Sequence, residues 1–284
     1  MRTTSEAPVA EPQPVNRAPR GREGAADAAS PRSGAAVEIE GLAHSFGDLE
    51  VIERLDLRLS PGEVRGIVGP SGCGKSTLLE LVSGLRQPST GAIAVQGSED
   101  PRDRLASCAY MPQRDLLLPW LPAIDNAAIA LRNRGASRRK ARRAAHPLFE
   151  RFGLAGFEAT RPAELSGGMR QRIAFLRTLL AEKPVLLLDE PFASLDAITR
   201  AEMQEWLAEA LAMESRSVIL VSHDVEEALY LSDRVTVLSP RPARAVAEVS
   251  APAPRRRPRL ATVTDPAFTT ARERALEALT EGTR

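Results

Sequence analysis

Lysine is nearly absent from this chain: three residues, Lys75, Lys140 and Lys183, stand against 35 arginines. Where a compact ammonium charge is so rarely used, its position carries information that an arginine would not. Cysteine is as scarce, with only Cys73 and Cys108, which excludes a disulfide framework and suits a reducing cytosol. An excess of charge is also missing. The net charge of +1 provides no overall field to draw the chain to nucleic acid or to acidic membranes. No apolar run approaches the roughly 20 residues that span a bilayer, and the first residues lack the apolar core of a secretory signal. A cytosolic protein is expected. The 43% hydrophobic and 26% charged content over 284 residues is that of a globular protein, with room for one large α/β domain or two small ones.

Residues 1–36 are rich in Ala, Pro, Ser, Gly and Arg with few large apolar side chains, so a disordered leader is expected there. The folded domain is expected over 37–243. Residues 37–40 and 51–59 alternate as strands, with turns at Gly41, Gly47 and Pro61-Gly62. Residues 64–68 form an apolar strand, followed by a helix that Ser83-Gly84 would close. Residues 92–95 and 106–111 are further strand candidates. From about 115 to 165, Ala, Leu and Arg dominate, which predicts a helical subdomain interrupted at Gly135, Pro147 and Gly153. Its run Arg138-Arg139-Lys140-Ala141-Arg142-Arg143 has no interleaved aromatics and is expected on a solvated helix face, not on nucleic acid. Beyond 167, apolar strands at 185–188, 218–221 and 234–238 alternate with helices, the pattern of a parallel sheet covered on both faces. Residues 240–258 are expected to be a Pro/Arg-rich solvated linker, with contact to a membrane surface as the alternative. Asp265-Pro266 would then open a short amphipathic helix with Phe268, Leu276 and Leu279 near one face.

Three stretches carry chemistry. Gly69-Pro70-Ser71-Gly72-Cys73-Gly74-Lys75-Ser76-Thr77 follows an apolar strand, precedes a helix, and matches the phosphate-loop pattern at every fixed position. Its glycines let main-chain N–H groups face a polyphosphate at the helix N-terminus. Lys75 would neutralise the phosphate oxygens and the Ser76 hydroxyl would ligate Mg²⁺. Val185-Leu186-Leu187-Leu188-Asp189-Glu190 ends a buried strand in two carboxylates at the edge where open parallel sheets bind ligands. There Asp189 would hold Mg²⁺ and Glu190 would polarise the attacking water. Leu165-Ser166-Gly167-Gly168-Met169-Arg170-Gln171-Arg172 is a second glycine-rich helix start able to face phosphate.

That last stretch resembles the LSGGQ-type signature of the ATP-binding cassette (ABC) ATPases, with Met169 in place of Gln, and the resemblance spans about 37–240. It implies an α/β fold: a phosphate-loop ATPase core with a parallel sheet, an antiparallel β subdomain and an inserted α-helical subdomain. It also implies a homodimer in which each ATP lies between one chain's phosphate loop and the other's Ser166, Gly167, Gly168 and Met169. Phe46 resembles the aromatic that stacks on adenine. Gln113 resembles the glutamine that contacts Mg²⁺ and the attacking water, and Ser194-Leu195-Asp196 resembles the D-loop. His223 resembles the switch histidine on the γ-phosphate.

Leu118-Pro119-Trp120, Met169-Arg170-Gln171-Arg172 and Asp189-Glu190-Pro191-Phe192 look like the nitrate/sulfonate/taurine-type bacterial importers, whose relatives import pyrimidine thiamine precursors. Ala174-Phe175-Leu176-Arg177 departs from the commoner Ala-x-Ala-Arg. The resemblance implies an ATPase using ATP and Mg²⁺ on the cytoplasmic face of the membrane. Its partners would be a transmembrane permease and, indirectly, an extracytoplasmic solute-binding protein. A two-component exporter and a soluble ABC ATPase are the alternatives.

Overall fold

The structure, a computed structural model, describes residues 34–193, 195–213, 215–252, 255 and 258–282. The expected leader therefore lies outside the described residues except for its last positions, of which Ala36 is buried and donates its N–H to Leu59 O. The strands β1 (Val37–Phe46) and β2 (Leu49–Leu59) form a hairpin around Gly47, and β3 (Val64–Val68) leads through the glycine-rich loop into α1 (Lys75–Ser83). Gly84 in the left-handed region caps α1, as glycine does without strain. Then follow β4 (Thr90–Val95), α2 (Pro101–Ser107) and β5 (Cys108–Met111). The helical insert comprises α3 (Ala123–Ala127), α4 (Ile129–Asn133) and α5 (Arg138–Arg151). Next come α6 (Gly167–Leu179), β6 (Val185–Asp189), α7 (Ala197–Ala212), β7 (Ser217–Ser222), α8 (Val225–Leu231) and β8 (Arg234–Leu238). The chain continues with β9 (Ala243–Ser250), α9 (Arg259–Val263) and α10 (Pro266–Glu281).

The described strands form one sheet in the order β4-β1-β2-β9-β8-β3-β7-β6-β5. The five strands from β8 to β5 are parallel, whereas β4, β1 and β2 are antiparallel. Alternation along β6 shows how the core divides. Leu186 and Leu188 face the layer of α6, α7 and α8, while Val185 and Leu187 face α1 and the antiparallel strands. Side chains that alternate between two buried faces explain why the strand reads as uninterrupted leucine and valine. Among the described residues no helix is long and apolar enough to cross a membrane.

Three expectations are corrected. Residues Ala243–Ser250 are not a solvated spacer: they form β9, antiparallel to β8 and parallel to β2, which joins the two halves of the sheet. Its burial does not alternate strictly and only Ala243 and Val249 are buried, so the hydrophobic signal was weak. Its Glu248 instead pairs with Arg65 and Arg234, and both arginines also meet Glu63. Pro147 does not interrupt the insert; it lies inside α5, whose Ala141, Ala145 and Phe149 are buried at helical spacing and hold the turns on both sides. The arginine run is not wholly solvent-directed. Arg138 and Arg142 reach back to the fully buried Asp125 carboxylate, and the Arg142 hydrogen bond leads in holding that carboxyl far below its ordinary pKa.

Candidate nucleotide site

The chain from β3 to α1 turns back on itself through residues that tolerate no Cβ. Gly74 has φ +116°, and a Cβ there would sit 2.7 Å from Val51 Cγ1. At Gly69 a Cβ would meet Cys73 Sγ at 2.9 Å. The result is a tight cradle ahead of α1, into which Lys75 is folded. Its Nζ donates to Gly69 O at 2.9 Å and to Pro70 O at 3.1 Å, and its side chain is only 4% exposed. Cys73 is buried and its thiol pKa is raised by that burial.

Three parallel strands deliver the acidic side of the site. At the C-terminal end of β6, Asp189 Oδ1 accepts from Ser76 Oγ at 3.1 Å and Oδ2 accepts from the Tyr110 hydroxyl at 2.9 Å. Burial pushes the Asp189 carboxyl above its usual value, against the pull of those two hydroxyls. Glu190 follows with φ +43°, a left-handed backbone that is costly for a side-chain-bearing residue and that concentrates at functional sites. Its own N–H donates to Val221 O at 2.9 Å, which pins the strained residue to β7. The Glu190 carboxylate collects three groups: Gln113 Nε2 donates to Oε2 at 3.2 Å, His223 Nδ1 lies 3.2 Å from Oε2, and Lys75 Nζ lies 3.7 Å from Oε1. Behind His223, the buried Glu227 has its pKa raised to about 7 by desolvation, and it accepts from Gln204 of α7.

Most residues expected at the phosphate-loop side are brought together here, whereas Cys73 is buried and borders neither of the site's two cavities. A cavity of about 380 Å³ is bordered by Phe46, Ser71, Gly72, Gly74, Lys75, Ser76, Thr77, Gln113 and Glu190. A larger open cavity of about 990 Å³ continues past Gly69, Pro70 and His223. Phe46 is 41% exposed at the rim, with the Arg86 guanidinium 4.6 Å above its ring. Neither cavity contains Ser166, Gly167, Gly168 or Met169. Ser166 is instead the N-cap of α6, its Oγ accepting from Met169 N at 3.2 Å. Asp196 caps α7 in the same way through Ile198 N and Thr199 N, while Ser194 lies outside the described residues. Thus one chain presents two helix starts suited to phosphate, at separate places.

The donor set bears on Mg²⁺ as well as on nucleotide. Among the described residues no cluster of three or more His, Cys, Asp or Glu could enclose a metal. What the site offers is one carboxylate and one hydroxyl 3.1 Å apart beside a phosphate cradle, which fits an octahedral cation that completes its shell with phosphate and water.

Two site residues were not anticipated. Arg241 lines the smaller cavity, and nothing in its Pro/Arg-rich surroundings marked it. Tyr110 stands on β5, beside β6, and only the pairing of those strands brings its hydroxyl to Asp189. Replacing Tyr110 with Phe is expected to leave Asp189 Oδ2 unmatched. At about 1–3 kcal/mol for a buried hydrogen bond to a charged group, the melting temperature should drop by several degrees. An unchanged melting curve would show that the phenol does not hold the carboxylate.

This combination of fold, phosphate cradle and paired carboxylates defines a phosphate-loop nucleotide-hydrolysing protein. Residues 52–193 match the family model for the ABC transporter domain. The formylaminopyrimidine import ATP-binding protein ThiZ of Halalkalibacterium halodurans is 44% identical over 73% of this chain and 80% of its own length. The aliphatic sulfonates import ATP-binding protein SsuB 1 of Rhodococcus jostii is 45% identical over 72% of this chain and 79% of its own. A dimeric post-hydrolysis structure of the ATP-binding cassette MJ0796, bound to ADP and Pi, superposes with a TM-score of 0.66. That match has 25% identity and covers 76% of this chain and 99% of the other. The chain belongs to the ABC transporter ATP-binding family, and its enzymatic class is that of an ABC ATPase.

Proposed function

We propose that this chain is the ATP-hydrolysing subunit of a bacterial importer. Two copies close on two ATP molecules beneath a separate transmembrane permease, on the cytoplasmic face of the membrane. An extracytoplasmic solute-binding protein feeds that permease. The solute is small and polar or anionic, of the nitrate, sulfonate and taurine type, or a pyrimidine precursor of thiamine. Import as the direction is supported by relatives named as import proteins for sulfonates and for formylaminopyrimidine.

The observation that carries hydrolysis is the convergence of Lys75, Gln113 and His223 on the Glu190 carboxylate. In this reading Phe46 offers its exposed face to adenine, and the loop 69–77 surrounds the phosphates with N–H groups. Lys75 leaves the carbonyls of Gly69 and Pro70 to neutralise phosphate oxygens. Ser76, Asp189 and Gln113 would hold Mg²⁺, which supplies charge neutralisation on the phosphates when bound. Glu190 takes a proton from the attacking water, and Gln113 and His223 orient both the carboxylate and the γ-phosphate. Since Ser166, Gly167, Gly168 and Met169 stand apart from this cavity, they serve the ATP of the other copy. Asp196, by capping α7, fixes the segment that borders that contact.

The permease contact is assigned to the stretch 116–120. Trp120 is 66% exposed and Leu116 is 58% exposed, so both side chains are open to a partner. The stretch is nonetheless tied to the domain by hydrogen bonds. Arg177 donates to Leu116 O and Asp115 O, and Asn126 bonds to both the N–H and the C=O of Leu118. A fixed loop that displays an aromatic suits a partner pocket. The test is purification of tagged Glu190→Gln protein, with ATP, from detergent-solubilised membranes of its host, with partners identified by mass spectrometry. A multi-span permease encoded beside a solute-binding protein is expected. Recovery from the soluble fraction alone would overturn the transport reading, and a permease without such a neighbour would favour export.

A further inference from the structure

The last helix ends beside the catalytic residues. Leu276, Leu279 and Thr280 of α10 share the walls of the 990 Å³ cavity with Pro70, Glu190 and His223. The helix is built into the domain at that place. Phe268, Ala271 and Ala275 are buried in the core, and Arg272 pairs with Glu226 of α8 at 3.1 Å. Just upstream, the Arg259 side chain bonds to Gln204 of α7 at 2.8 Å and to Glu226, while its main-chain N–H donates to Glu205 at 2.9 Å. This lattice ties α9 and α10 to the two helices that begin at Asp196 and just after His223. Next to the buried Ala275, Leu276 is left 46% exposed at the cavity edge.

A bare leucine is an odd lining for a site that handles polyphosphate, because it offers no hydrogen bond and its exposure to water is unfavourable. Leu279 and Thr280, one turn further along α10, line the same cavity, so the apolar edge is continuous with the catalytic wall.

Resting on the two-copy reading of the site, we propose that the edge of α10 at Leu276 is part of the ATP-dependent interface, covered by the catalytic face of a second copy of this chain. The second copy is the occupant that the position favours, because the cavity bordered by Leu276 also holds Pro70, Ser71, Glu190 and His223, which the Ser166 segment of a second copy would have to approach in that reading. Two-fold pairing makes each such contact occur twice, so a modest apolar edge on each copy counts double.

The test uses the full-length Glu190→Gln protein, whose ATP-bound dimer should accumulate. Its dimer Kd is measured by light scattering over a concentration series, with and without the additional Leu276→Gln change. The change is expected to weaken the dimer about tenfold or more while leaving the monomer's affinity for ATP unaltered. A dimer that forms with unchanged Kd overturns the contact and leaves the sandwich standing; absence of any ATP-dependent dimer in the parent variant overturns the sandwich and the contact together. A polarity-sensitive fluorophore on Leu276→Cys gives a second readout, since Cys73 and Cys108 are buried. Its emission should shift to the blue when ATP is added. An emission that stays unshifted in the dimer, or is already shifted in the monomer, overturns the proposal.

Discussion

Glu190→Gln protein should bind ATP as well as the parent protein does and hydrolyse it slower by about 10²–10⁴-fold, the usual worth of a positioned general base. The two halves of that expectation come from different contacts. Glutamine keeps the shape of the side chain and can still bond to Gln113 and His223, both 3.2 Å from Oε2, so the cavity wall is preserved. What disappears is the negative charge that would accept the proton of water. The same charge sits 3.7 Å from Lys75 Nζ, and its removal frees that ammonium from a competing anion. Affinity for ATP should therefore hold or rise as turnover falls. Single-turnover hydrolysis and an equilibrium titration with ATP separate the two. Near-wild-type turnover would falsify Glu190 as the base and leave the carboxylate a positioning role.

How much of this was legible before the structure depends on the range of the interactions. The phosphate loop, the paired acids after residues 185–188 and the cap at Ser166 are local patterns, in which the backbone geometry and the residues that need it are adjacent in sequence. In the structure the loop lies between β3 and α1, the acids follow the apolar residues of β6, and Ser166 opens α6. Contacts made across the sheet were not legible. Tyr110 and Asp189 are 79 residues apart and meet only because β5 lies beside β6. Asp125 and Arg142 are likewise joined through folding of the insert, so a run of arginines read as solvated contained two that neutralise a buried acid. Where small residues replaced large ones the periodicity itself was faint: β9 is written in alanine, and the inner face of α10 is Phe268, Ala271 and Ala275. Pro147 misled for a physical reason of the opposite kind, since packing of Ala145 and Phe149 outweighs a helix-breaking preference that holds only on average.

Lys75→Ala should lower affinity for ATP by on the order of 10²-fold or more. Removing one member of a desolvated charge pair costs roughly 2–5 kcal/mol, and each 1.4 kcal/mol is about a tenfold change. The ammonium is enclosed by the loop, with its side chain 4% exposed and its Nζ on the carbonyls of Gly69 and Pro70. Phosphate oxygens entering the same cradle would meet no other lysine, since Lys140 and Lys183 lie outside both cavities. Arginine is not an adequate substitute here. Its planar fork needs more room than a turn in which even a Cβ at Gly74 would crowd Val51, so Lys75→Arg should also bind ATP poorly. Calorimetric titration with ATP and Mg²⁺ measures both variants, and their melting temperatures show whether the loop still folds. A folded Lys75→Ala protein with undiminished affinity would remove Lys75 from the nucleotide and leave its ammonium with a structural task, closing the loop through Gly69 O and Pro70 O.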